Sequence, residues 1–134
     1  ALELSLSDVN SFPHLYYVDI GNTEKWGRPS DPTLVNLFPS YSLEIWRRSF
    51  FQQPDVVLVD GRFRKACFLA VILNAKQDTI VLFDDYRDRK VYHEVEFIIK
   101  PERFVDRMAI FQISPGMLQA KDLPRVIDWL FEIP

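Results

Sequence analysis

Two short runs of consecutive apolar residues stand out near the middle of the chain, at residues 56–59 (VVLV) and 79–83 (TIVLF). A continuous rather than alternating apolar run is typical of a strand buried on both faces of a parallel sheet. A third strand is predicted at residues 107–113, and the β-branched and aromatic residues at 15–20 predict one ahead of them. We expect the strands at 56–59 and 79–83 to be central neighbours.

The segments between these strands repeat their apolar residues at helical spacing. The pattern predicts helices over residues 41–51, 63–73, 91–99 and 123–131. Residues 1–12 are typical of a weak helix or an irregular lead-in, and residues 22–39 of a long loop. Alternating strands and helices predict the α/β class, with a three-layer α/β/α arrangement and a mostly parallel, Rossmann-like sheet.

Composition narrows the class of protein. The chain has 134 residues, the size of one domain, so we expect a single domain over residues 1–134. The net charge of −3 and the lack of a basic block disfavour nucleic acid and membrane surfaces as partners. The single cysteine, Cys67, can form no internal disulfide, and neither a membrane-spanning run nor a signal peptide is visible. A cytoplasmic location is expected.

Carboxylates follow the two central strands directly. Asp60 ends the first, and Asp84 and Asp85 end the second. Ligands of open parallel sheets bind beyond the carboxyl ends of the strands, so these side chains are expected to converge there. Three interpretations stay open: caps of the following helices, partners of nearby arginines, or ligands of Mg²⁺ or Ca²⁺. The candidate arginines are Arg62, Arg64, Arg87 and Arg89.

The densest polar run, residues 84–93, admits two interpretations. It is either a substrate-facing loop with His93 as general base, or a solvated turn whose charges pair locally. Trp26 either belongs to an aromatic lid over a ligand or packs on the surface. Cys67 lies on the apolar face of a predicted helix, which favours a core residue over a nucleophile.

Phosphate-binding motifs are absent from the sequence. No G-x-G-x-x-G and no G-x-x-x-x-G-K-[ST] occurs, and the chain has four glycines. A nucleotide phosphate cradle is therefore not encoded here. No G-x-S-x-G elbow occurs either, which disfavours an α/β-hydrolase.

Three stretches resemble class I S-adenosylmethionine-dependent methyltransferases of the small-molecule O-methyltransferase type. Residues 54–64 (PDVVLVDGRFR) and 81–86 (VLFDDY) are similar to the family's fourth and fifth strands, and residues 19–29 to its third strand and the following loop. In the metal-dependent branch, the matching acidic positions hold a divalent cation. The resemblance thus implies a Mg²⁺ site at Asp60, Asp84 and Asp85.

The site that we expect combines this resemblance with the polar residues around it. Its catalytic candidates are Asp60, Asp84 and His93. Its substrate-binding candidates are Trp26, Arg62, Tyr86 and Arg87. The expected substrate is a small molecule, and the expected methyl donor is S-adenosylmethionine.

The resemblance also implies that the sequence given lacks part of the family's fold. The family binds its cofactor with a Gly-rich loop after the first strand and an acidic residue ending the second. Neither has a counterpart here, so no cofactor-binding residue is assigned, and methyl transfer by this chain alone is expected to be impaired or absent. The alternative is a non-catalytic interaction module that self-associates, as a homodimer, through an exposed sheet edge.

Overall fold

Four strands form the sheet in the computed structural model, which describes residues 13–133. They are β1 (Val56–Val59), β2 (Thr79–Phe83), β3 (Arg103–Val105) and β4 (Met108–Ile113). Their order across the sheet is β1-β2-β4-β3. The predicted strands at 56–59, 79–83 and 107–113 are therefore confirmed, whereas β3 was not predicted. The predicted lead-in over residues 1–12 lies outside the described residues.

The helical segments are short except for one. The α-helices are α1 (Phe38–Leu43), α2 (Arg64–Asn74) and α3 (Leu123–Val126), and 3₁₀ turns cover Lys25–Gly27, Pro32–Leu37, Glu44–Arg47, Lys90–Phe97, Ala120–Asp122 and Ile127–Phe131. The helix predicted over 63–73 is confirmed as α2, which contains neither Gly nor Pro. The helix predicted over 91–99 is largely 3₁₀, and the one predicted over 123–131 is α-helical at first and then 3₁₀. The helix predicted over 41–51 is only partly confirmed: it starts in the last turn of α1, continues as 3₁₀ to Arg47 and ends there. Within residues 13–133, no helix is both long and apolar enough to cross a bilayer.

The sheet is mixed, which corrects the prediction of a mostly parallel one. β1 pairs with β2 in parallel, but β4 runs antiparallel to both β2 and β3. Only Asp106 and Arg107 connect β3 to β4. So short a connection makes a hairpin, and a hairpin is necessarily antiparallel. Asp106 takes a left-handed backbone with φ 52°, which aspartate tolerates better than most residues.

The core lies between the sheet and α2. Side chains of Val81, Phe83 and Phe111 on neighbouring strands are fully buried. The ring of Phe68 on α2 lies 4.7 Å from that of Phe111 and 6.0 Å from that of Phe83, between ring centroids. The sheet therefore has one well-buried face, against which the aromatic residues pack.

The predicted second helical layer is not confirmed. Residues of β1 and β2 that point away from the core are partly open: Val56 is 52% exposed, Leu58 58% and Ile80 37%. Val56 pairs with Ile80, and Leu58 with Leu82, so these side chains adjoin on one face. We call this set, Val56, Leu58, Ile80 and Leu82, the outer face. Leu58, expected in the core, is instead a surface residue, because the outer face is open at β1. β1 is also an edge strand and not a central one, which corrects that prediction.

Residues 15–20 do not form the predicted strand. Side chains hold this segment instead. The Tyr16 hydroxyl donates to Glu44 at 2.6 Å, and Ile20 is buried. At Gly21, φ is +88°, a left-handed backbone that favours glycine, and an added Cβ would lie 2.5 Å from Leu34 Cδ1 unless that side chain moved.

Candidate functional site

A cavity of about 640 Å³ opens at the carboxyl ends of β1 and β2. Its lining residues are Trp26, Asp60, Gly61, Arg62, Arg64, Asp85 and Arg89. The sequence predicted that Asp60 and at least one of Asp84 and Asp85 meet at this edge, and Asp60 and Asp85 do. The cause is the parallel pairing of β1 and β2, which brings both strand ends to one side of the sheet.

Arg64, in the first turn of α2, binds the ends of both strands. Its Nε donates to the Gly61 carbonyl at 2.8 Å, and its Nη1 donates to the Asp84 carbonyl at 2.6 Å. Its Nη2 lies 3.5 Å from a carboxylate oxygen of Asp60 and 3.5 Å from one of Asp85. Only 9% of the Arg64 side chain is exposed, so Arg64 forms a buried part of the cavity wall and connects the ends of β1 and β2.

Three guanidinium groups lie near the carboxylate of Asp85. Besides Arg64, Arg89 lies 3.5 Å and Arg107 3.6 Å from its carboxylate oxygens. Asp85 also has a left-handed backbone, with φ 54°, in the turn that follows β2. Three arginines around one carboxylate leave a local excess of positive charge. Sequence reasoning missed Arg107, because only the unpredicted hairpin brings it there.

The rim is formed by the loop that carries Trp26. Arg62 Nε donates to the Trp26 carbonyl at 2.9 Å, which ties this loop to the turn after β1. The Trp26 side chain is 77% exposed, and its backbone is left-handed, with φ 64°. Trp26 therefore presents an open indole face beside the cavity.

Two smaller cavities adjoin the first around Gly61 and Arg62. One, of about 310 Å³, lies toward Tyr16 and Tyr17, and the other, of about 390 Å³, is a mainly apolar groove along β1. A Cβ added to Gly61 would lie 3.4 Å from the Tyr41 hydroxyl, a close contact. Gly61 thus lies in the wall that all three cavities share.

Four predicted site residues do not line the cavity. They are Asp84, Tyr86, Arg87 and His93. Tyr86 is fully buried, which corrects the expectation that it contacts a substrate; its hydroxyl donates to Glu96 at 2.7 Å, and burial together with that bond raises its pKa. The His93 ring stacks 4.8 Å from that of Tyr86, and its Nε2 lies 3.0 Å from the Tyr86 carbonyl oxygen. Arg87 lies over Phe104 instead.

Cys67, on α2, is partly buried and packs against the core, which agrees with the position expected from the sequence. Burial raises the pKa of its thiol to about 12. At neutral pH the thiolate, the reactive form, is therefore scarce. The Cys67 Sγ lies 3.8 Å from the Arg62 carbonyl oxygen, so the thiol takes part in packing the turn after β1.

Metal binding is not supported by the grouping of donors. Among residues 13–133, no set of three His, Cys, Asp or Glu side chains is placed to hold a metal ion. The Arg64 guanidinium instead contacts both Asp60 and Asp85, which favours the arginine interpretation of the acidic residues. A Mg²⁺ role for Asp60, Asp84 and Asp85 stays a prediction.

The turn that opens α2 differs from a Gly-rich loop for the methionine end of S-adenosylmethionine. The turn between β1 and α2, Asp60-Gly61-Arg62-Phe63, contains one glycine, and its Phe63 is left-handed, with φ 52°, and buried. It is no Gly-rich loop opening a helix. No residue of the described part is therefore assigned to the cofactor.

Comparison with known proteins gives one informative match. No protein-family model matches the chain, and no curated protein does. Among solved structures, the chain is similar to a methyltransferase-like protein from Silicibacter pomeroyi DSS-3, with 38% identity and a TM-score of 0.80. The match covers 87% of this chain and 60% of that one, so the chain spans less than two thirds of its relative. The chain therefore has a methyltransferase-like fold.

Proposed function

We propose that this chain carries the acceptor-binding part of an S-adenosylmethionine-dependent methyltransferase that acts on a small molecule, and that alone it transfers methyl groups poorly. The observation that carries the proposal is the cavity at the carboxyl ends of β1 and β2. It combines two carboxylates, arginines and an open indole in a methyltransferase-like fold. Such a mixture of polar and aromatic groups suits a small, hydroxylated acceptor.

Asp60 is the residue we assign to the acceptor hydroxyl. Its side chain is 53% exposed and lies in the cavity wall, so its carboxylate can accept a hydrogen bond from a bound ligand. Arg64 Nη2 contacts one oxygen of that carboxylate at 3.5 Å. Trp26 offers its ring to the acceptor, and Arg62 holds the loop of Trp26. S-adenosylmethionine, when bound, supplies the electrophilic methyl group.

The test is a transfer assay with labelled S-adenosylmethionine and a panel of small hydroxylated acceptors, with and without Mg²⁺. We expect slow methylation of at least one acceptor, and its loss in Asp60→Asn. The matched control is Asp55→Asn, which changes a carboxylate that binds Gln77 at the start of β1, away from the cavity. Absence of both methyl transfer and calorimetric binding of S-adenosylmethionine would refute the enzymatic proposal.

The outer face favours a second candidate function, a module that self-associates. Val56 and Leu58 are more than half exposed on an edge strand. An uncovered edge strand with apolar side chains is a site of pairing with another chain. The occupant that we propose is a second copy, because a two-fold axis would set the same apolar strip against itself.

A further inference from the structure

The charge balance of the cavity is opposite to that of the chain. The lining holds three arginines, Arg62, Arg64 and Arg89, against two carboxylates, Asp60 and Asp85. A fourth arginine, outside the lining set, approaches Asp85 from the β3–β4 hairpin. The whole chain has a net charge of −3. A cationic cavity in an acidic protein indicates an anionic ligand.

Arg89 is the arginine best placed to meet that ligand. Arg64 is buried and already binds two carbonyls and two carboxylates. Arg89, in contrast, is half exposed, and among residues 13–133 its guanidinium makes one long contact, 3.5 Å to the Asp85 oxygen that Arg64 shares. A guanidinium has five N–H donors in a fork that matches a carboxylate or a phosphate.

The rim adds a flat apolar surface and another cation. The open indole of Trp26 can cover one face of a planar ring, since offset stacking of aromatic rings is favourable. Lys25 Nζ lies 5.6 Å from the centroid of the same indole. The two features together favour a ligand that is both planar and anionic.

We propose that the cavity selects a planar, hydroxylated acceptor that carries a carboxylate or phosphate group. Arg89 binds the anionic group, Trp26 covers the ring, and Asp60 accepts the hydrogen bond of the hydroxyl. That the ligand is a methyl acceptor rests on the proposed function, but binding of the ligand itself needs no methyl donor.

Calorimetry on the full chain, without S-adenosylmethionine, tests this selection. The probes are 4-hydroxybenzoate, 4-hydroxyphenyl phosphate and the neutral 4-hydroxybenzyl alcohol. We expect at least one anion to bind about tenfold tighter than the alcohol, as one charged hydrogen-bonded contact predicts. The better anion identifies the charged group. Equal affinity for all three probes, or no binding, would overturn the inference.

Arg89→Gln and Arg87→Gln are the matched variants. Both arginines are exposed and belong to one turn, but only Arg89 lines the cavity. Arg89→Gln is expected to lower anion affinity about tenfold, to that of the alcohol, and Arg87→Gln to leave it unchanged. Thermal unfolding of each variant checks that it folds. Equal effects of the two substitutions would contradict the assignment to Arg89.

The outcome separates the two proposals. Anion binding that depends on Arg89, in a chain that neither binds S-adenosylmethionine nor transfers methyl groups, would support this inference and refute the enzymatic function. Methylation of neutral acceptors alone would do the reverse.

Discussion

The two faces of the sheet differ sharply although the same strands supply both. On the face that meets α2, Val59, Val81 and Phe83 are buried. On the outer face, Leu58 and Ile80, each adjacent in sequence to one of these, are partly exposed. A sheet with one solvated face normally alternates apolar and polar residues. Here the exposed positions of β1 and β2 are apolar as well.

This difference shows what a continuous apolar run indicates. Burial of both faces of the strand is favourable, but the run does not indicate which element covers the second face. In the described residues, α2 lies against β1 and β2, and the outer face of β1 stays open.

The largest difference is expected between two leucines. Leu69→Ala, on α2, removes a fully buried side chain and should cost about 2–5 kcal/mol through loss of burial and formation of a cavity. Leu58→Ala, on the outer face, should cost about 0.5 kcal/mol. Urea unfolding followed by circular dichroism measures both free energies. Similar losses for the two variants would mean that the outer face of β1 is covered.

Arg64 belongs to the buried side, and its loss should be costly. Arg64→Met removes donors from two carbonyls and a cation from two carboxylates, so we expect a loss of about 3 kcal/mol in the free energy of unfolding. Arg87→Met, at an exposed position in the turn after β2, should cost at most about 0.5 kcal/mol. The same urea titration measures both. If Arg64→Met were as mild as its control, Arg64 would not organise the cavity.

Lys65 lies beside Arg64 on α2, with its side chain 2% exposed. Its Nζ donates to Glu94 at 2.9 Å and also pairs with Glu132. Burial alone lowers the pKa of Lys65, but the two carboxylates outweigh it and raise that pKa above the ordinary 10.5. Lys65 therefore stabilises the fold fully below pH 10.5, and this contribution disappears as pH rises through the raised pKa.

Lys65→Met should accordingly cost about 2 kcal/mol near neutral pH. The difference in unfolding free energy between wild type and variant should stay constant from about pH 7 to 9 and shrink above about pH 10.5. Chemical unfolding at several pH values measures it. A difference that grows with pH would contradict the ion pairs.

Substitutions at the two sheet edges should have the smallest effect on stability, within about 0.5 kcal/mol, but they should differ in their effect on association. Val56 on β1 and Val105 on β3 are about half exposed at opposite edges. If the chain self-associates through the outer face, Val56→Lys should abolish association and Val105→Lys should not. Sedimentation across a dilution series measures this. A wild-type chain that stays monomeric throughout would rule out the second candidate function.

Sequence patterns predicted those parts of the structure best where each pattern is compatible with a single kind of element. The runs at β1, β2 and β4 and the apolar spacing of α2 gave the strands and the longest helix, and the Asp residues after parallel strands gave the position of the cavity. The strand predicted at residues 15–20 was wrong. Side-chain contacts of Tyr16 and burial of Ile20 hold this segment in place without a strand. The β3–β4 hairpin was not predicted either, because β3 has only three residues and so leaves no clear pattern in the sequence. The approach of Arg107 to Asp85 was missed for the same reason.

Among the predicted site residues, too, some positions followed from the sequence and others did not. Asp60 and Arg62 line the cavity because the end of β1 and the turn after it set their positions. Trp26 joins them because Arg62 holds its loop. Tyr86 belongs to the polar run at residues 84–93 but is buried, because the turn after β2 directs its ring toward Phe83 and Phe111. Spacing along the chain cannot tell which residues of such a turn point inward.

The central claim is that ligands bind in the cavity at the carboxyl ends of β1 and β2, and the three tryptophans of the chain test it directly. Trp26 stands at the cavity rim, Trp46 lines the groove beside β1, and Trp129 is buried in the core. Indole N–H resonances are followed by NMR during titration with 4-hydroxybenzoate and 4-hydroxyphenyl phosphate, with Trp26→Phe for assignment. The account predicts that at least one anion shifts the Trp26 resonance while the other two stay in place. A shift of Trp46 alone, or no shift with either anion, would contradict it.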